Sequence, residues 1–179
     1  MAKYTFQADL SVKGIKQLKE DILRYKNRDL KNKCELLIQR LLLIGVEVAQ
    51  AHIDESPLGD YVTLTTNINP EKVGCNGIIL AKGEVFENEG YKPFSVILAI
   101  EFGAGIYYNE KPNPDAIKYR YGVGTFPGQT HAFEDMWFYW DESEETWKAT
   151  HGVKATMPMH NTKLKIIEVA TEIAKEVFG

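Results

Sequence analysis

The segment from about residue 29 to 54 constrains the fold more than any other. Cys34, Leu37, Ile38, Leu41, Ile44, Val48 and Ala51 recur at helical spacing, and apolar neighbours widen the surface beyond one face, the pattern of a helix covered on more than one side. The expectation is a long, central, buried helix. Its end is set by Ser56-Pro57, because proline disfavours helical geometry in the residue before it and has no N–H to give to the helix ladder. The most apolar run inside it, Leu41 to Val46, is closed by Arg40 and Glu47. That is well short of the roughly 20 residues a bilayer crossing needs, so no membrane span is expected.

Upstream, Tyr4, Phe6, Ala8 and Leu10 alternate at period two and read as a short strand or extended arm over 3–11. Ser11 is positioned to cap a short amphipathic helix over 12–26, built on Ile15, Leu18, Ile22 and Leu23. Downstream, residues 61–66, 76–82 and 94–102 are rich in β-branched and aromatic side chains and separated by Asn-Pro, Asn-Gly and Gly-Tyr-Lys-Pro breakers, which predicts antiparallel strands. Residues 137–141 and 146–150 flank Glu142-Ser143-Glu144-Glu145 and read as a hairpin with an acidic turn. A last helix is expected from about 158, where Pro158 suits a first turn and Ile166, Val169, Ala170, Ile173, Ala174 and Val177 form an apolar stripe.

With 179 residues, no linker and no internal repeat, the chain is expected to be a single domain, 1–179. The element order predicts the α+β class: an antiparallel sheet with a long helix from the N-terminal half and a C-terminal helix packed on one face. Residues 103–136 hold five glycines and three prolines and form an insertion too long for an ordinary connection, the kind that tends to carry function.

Charge and cysteine usage exclude several classes. Residues 84–145 carry 4 basic against 12 acidic side chains, a local charge of −8 within a net charge of −4. Affinity for a nucleic-acid backbone needs clustered Lys and Arg, because neutralising phosphates releases counterions. The acidic middle suits a solvated face, or a surface that a polyanion passes without being held. Cys34 and Cys75 are the only cysteines; a chain this size needs no disulfide to fold, so both are expected as free thiols in a reducing cytoplasm.

Catalytic patterns are weak. Gly122 to Thr130 resembles a phosphate-cradling loop but has no lysine before Thr130, one residue too many between its outer glycines, and no apolar strand leading in. The closest pair among His52, His131, His151 and His160 is nine residues apart, unlike the short spacings of metal sites. No serine or cysteine sits in a nucleophile elbow. Glu101 ends an apolar run and is a candidate carboxylate of raised pKa, although pairing with the following loop is the commoner fate of such an acid. The expectation is no catalytic residue, no metal and no cofactor. Twelve of the 20 aromatic residues lie between Phe102 and Trp147. In a strand, Trp137, Phe138, Tyr139 and Trp140 point alternately to both faces, so one face must be covered by the long loop or by another subunit. Tyr107, Tyr108 and these four are the candidate interface residues.

The order of motifs resembles the head-to-tail joining, or tail completion, family of neck proteins of long-tailed lambdoid bacteriophages. Ile100-Glu101-Phe102-Gly103-Ala104-Gly105 is similar to the family's Glu-Phe-Gly-Thr-Gly. A Gly/Pro-rich loop, Trp137-Phe138-Tyr139 with Trp147, and the segment Thr150 to Thr162 follow in the family's order. Where many members have Arg-Pro-Phe, this chain has Thr156-Met157-Pro158-Met159. The resemblance implies fold-defining roles for Glu101, Phe102, Gly103, Gly105, Gly152, Pro158 and Asn161, and no catalytic residues.

It further implies a structural virion protein of a phage, prophage or tail-like particle, assembled in the bacterial host's cytoplasm. Such a subunit forms a homo-oligomeric ring, sixfold like the tail, that contacts other neck and tail proteins and lets DNA pass without specific binding. A tail terminator capping the tail tube is the nearest alternative. A small-molecule or nucleotide-binding enzyme using loop 122–130 and Glu101 is the alternative of a different class.

Overall fold

The first helix begins at Ser11, whose extended backbone and hydroxyl oxygen, accepting from the Gly14 amide at 3.0 Å, make it the expected N-cap. The computed structural model describes residues 5–71, 74–87, 93–105, 113–115, 137–141 and 144–179. Helix α1 spans Val12–Arg24, and the chain stays helical through a wide π turn, Tyr25–Asp29, into α2, Leu30–Asp54. The two helices expected at 12–26 and 29–54 are therefore continuous. In an uninterrupted α-helix, Ile15, Leu18 and Ile22 would stand about 120° round the axis from the stripe formed by Cys34, Leu37, Ile38 and Leu41. The extra residue taken up by the π turn gives back about 100°. The two apolar stripes thus come to nearly the same side. Residues 5–11, expected as a strand or arm, form no strand, and Phe6 instead meets Tyr25 edge to face at 5.8 Å.

Helix α2 is less buried than its composition suggests. Leu42, Gly45, Ala49 and Ile53 form one buried stripe, whereas Leu36 and Leu43 are 42% and 64% exposed. An 18-residue window of the continuous helix reaches a mean hydropathy of 1.4, long and apolar enough to cross a membrane by length and composition, a wider stretch than the run 41–46. Arg40, within this apolar part of α2, is ion-paired with Glu176 at 2.9 Å. At the helix end the Ser56 amide donates to the Ile53 carbonyl and the Gly59 amide to that of Ser56, both at 3.0 Å. The chain turns there, as Pro57 dictates.

Strands β1, Val62–Pro70, and β2, Cys75–Gly83, pair as a ribbon. Short strands β3, Val85–Phe86, and β4, Phe94–Ser95, pair antiparallel. The stretch expected as a strand over 94–102 is mostly helix, α3, Val96–Phe102. Its run of apolar residues has no period-two alternation, and Val96, Ala99, Ile100 and Phe102 are all buried, which a helix packed on several sides achieves. Strands β5, Ala104–Gly105, and β8, Gly152–Val153, pair antiparallel, as do β6, Trp137–Asp141, and β7, Thr146–Thr150. Helix α4, Pro158–Phe178, closes the chain. The class is the expected mixture of long helices and antiparallel strands, although the described strands form four two-stranded sheets in place of one.

Two compact units are interleaved along the sequence. In the first (1–45, 66–79 and 165–179), Gly77 lies so close to α2 that a Cβ there would sit 2.5 Å from Ile38 Cγ2, and Lys33 Nζ lies 5.8 Å from the centre of the Phe178 ring. In the second (46–65 and 80–164), Ala49, Ile53, Val96, Ala99 and Ile100 are fully enclosed, the most buried apolar residues among those described.

Candidate functional site

Within the second unit, α3 and the start of α4 cap one another. Met157 takes a left-handed backbone, φ 53°, and Pro158 opens α4 with no N–H to satisfy. The next two amides, of Met159 and His160, donate to Glu101 Oε2 and Oε1 at 2.9 and 3.0 Å. Glu101 thereby supplies from another element the acceptors that an N-cap side chain usually gives, and its charge faces the positive end of the helix dipole. In return, the amides of Thr156 and Met157 donate to the Ile100 carbonyl at 3.0 and 3.3 Å, near the carbonyl end of α3. Asn161 Nδ2 donates to the Thr156 carbonyl at 3.0 Å and holds the intervening turn.

The third donor to Glu101 is Asn113, whose Nδ2 lies 2.6 Å from Oε1. Asn113 is itself oriented by the Asp115 amide, which donates to its Oδ1 at 3.0 Å. Burial pushes the Glu101 carboxyl above the ordinary carboxylate range; the Met159 and His160 amides, the His160 ring and Asn113 pull the other way without cancelling it. With three donors on two oxygens, Glu101 keeps one lone-pair direction free. An open pocket of about 440 Å³ adjoins it, walled by Ile97, Leu98, Phe102 and Met159 with Lys163 at its edge.

Of the residues expected to define the fold, Glu101, Pro158 and Asn161 form this junction and the others lie on the elements next to it. Phe102 is buried beside Glu101. Gly103 ends α3 at φ 79°, and a Cβ there would lie 3.3 Å from both the Ala155 Cβ and its amide nitrogen. Gly105 pairs with Gly152, which has φ 99°. Pro158 and Asn161 begin α4. Glu101 departs from expectation in sitting on a helix, not at a strand end, and it pairs with the following loop through Asn113, as the commoner reading had it.

The candidate interface divides. Trp137, Phe138, Tyr139 and Trp140 lie on β6, paired in register with Thr150, Ala149, Lys148 and Trp147; their side chains, Tyr107, Tyr108, His131 and the loop 122–130 lie outside the described residues. Among the described residues no three His, Cys, Asp or Glu side chains gather as a metal site. Two features of the junction escape sequence reading, Asn113 and the left-handed Met157. For Asn113 the Asn-Pro-Asp turn signal was present. For Met157 there was none.

No family model, no curated protein and no solved structure matches the chain.

Proposed function

We propose that the chain is a structural subunit of a tailed bacteriophage or a related tail-like particle, forming a homo-oligomeric ring at the head–tail interface through which DNA passes. The observation that carries this reading is α1. None of its residues is buried, yet Ile15, Ile22 and Leu23 present an apolar face that is 53%, 45% and 44% exposed. The π turn brings that face into line with the half-buried Cys34–Leu41 stripe of α2, so an apolar seam continues from α2 along α1. A surface of this kind is the ordinary mark of a subunit contact. The motif order from Glu101 to Asn161 and the acidic stretch 84–145 support the same reading, and a head-to-tail contact closes into a ring where its rotation permits.

Native mass spectrometry across a concentration series, with negative-stain images of the same samples, tests it. A discrete closed oligomer is expected for the chain, and a monomer for the variant Ile15→Asp/Ile22→Asp, which removes no buried side chain. A monomer at all concentrations whose melting temperature rises with a nucleotide or divalent cation would instead favour a ligand-binding enzyme.

A further inference from the structure

The two cysteines lie in the same compact unit and on facing surfaces. Cys34 is one helical turn before Ile38 on α2, and Cys75 is two residues before Gly77 on β2, on the strand face that alternates inward. Gly77 packs directly against Ile38 and Leu42. Four residues of helix advance about 6 Å and two residues of strand about 6.6 Å, so the step from Ile38 back to Cys34 matches the step from Gly77 back to Cys75. The same direction agrees with the influence on the Cys75 thiol of Cys34 and Glu35 at the start of α2. Both thiols are free and half-buried.

We infer that Cys34 and Cys75 form an oxidisable pair that closes into an intramolecular disulfide, pinning β2 to α2. The balanced step with a peroxide is oxidation of one thiol to a sulfenic acid, with the peroxide reduced to water, followed by attack of the second sulfur on the first. One S–S bond forms, the peroxide O–O bond breaks, the two thiol protons leave in water, and two waters are released in all. The pair stays reduced in a cytoplasm and closes once the chain meets an oxidising exterior. This inference does not depend on the ring assignment. Burial first, and then Cys34, Glu35 and Glu71, push the Cys75 thiol above its ordinary range, so closure quickens as pH rises beyond that range.

Purified full-length chain treated with hydrogen peroxide under denaturant-free conditions provides the test. Closure lowers the intact mass by about 2 Da, yields a 34–75 cross-linked peptide in a non-reducing digest, and removes both thiols from titration with a disulfide reagent. It also raises the melting temperature by about 5–10 °C, reversibly with a dithiol reductant, while Cys34→Ser and Cys75→Ser show no such rise. Thiols that remain titratable, sulfinic acids without a cross-link, or disulfides found only between molecules would each overturn the inference.

Discussion

Glu101 carries two opposed demands, and their balance can be measured. Its carboxylate receives the free amides of α4 and the Asn113 side chain, yet it is only 8% exposed, and burial outweighs the donors so that its pKa rises. A carboxyl whose folded pKa exceeds its unfolded value binds its proton more tightly when folded. Its contribution to stability is then complete below the ordinary carboxylate range and is lost as pH rises through the raised value. Urea midpoints of wild type and Glu101→Gln between pH 4 and 8 are expected to show the wild type losing stability relative to the variant across that interval. A gain instead would mean that the donors, not burial, dominate. At the acid end of that interval Glu101→Gln is expected to cost about 1–3 kcal/mol, because the amide turns an N–H toward a donor where the carboxyl group offered an acceptor. Sequence alone picked out Glu101 because a single acid ends the apolar run Val96 to Ile100. It gave no view of the donors: Met159 and His160 are 58 and 59 residues away, and no local pattern encodes that meeting.

At the scale of elements, legibility followed periodicity and breakers. Helix α4 was readable from Pro158 and a regular stripe, β2 from its β-branched content between breakers, and the end of α2 from Pro57. Helix α3 was not, since six apolar residues and one acid in seven positions fit a buried strand as well as a helix, and the choice is made by the distant segment 156–157 that caps the Ile100 carbonyl. The π turn was also missed, although the phase slip between the stripes of α1 and α2 was present in the spacing. That slip yields a prediction. Deleting Asn27 removes the extra residue, lets the rod run as an α-helix, and swings the apolar face of α1 by about 100° relative to α2. Because α1 buries none of its residues, the fold should tolerate the change, with a shift in stability of about 0.5 kcal/mol or less. Assembly should not tolerate it. Analytical ultracentrifugation is expected to show a folded monomer, and an unchanged oligomer would remove α1 from the contact.

For the whole molecule the deciding quantity is charge, because a DNA conduit and a DNA binder of the same shape differ chiefly in whether the surface releases counterions from the duplex. A net charge of −4, with −8 concentrated in residues 84–145, predicts no retardation of duplex DNA in a gel even at about 50 mM salt, where non-specific binding is strongest. The informative variant reverses that sign on exposed positions. Glu84, Glu87, Glu144 and Glu145 are all exposed, and the ion pair of Glu144 with Lys148, 2.9 Å long, has its carboxylate 63% exposed, so its loss costs little. Four Glu→Lys changes, each worth two charges, move the net charge from −4 to +4 while leaving the core untouched. The variant is expected to fold and assemble as the wild type does, to retard duplex DNA without sequence preference, and to lose that binding steeply as salt rises. Tail-bearing particles carrying it should then release DNA more slowly. Retardation by the wild-type chain itself would mean that the acidic stretch does not face the duplex, and the proposed ring would have to hold DNA in place of letting it through.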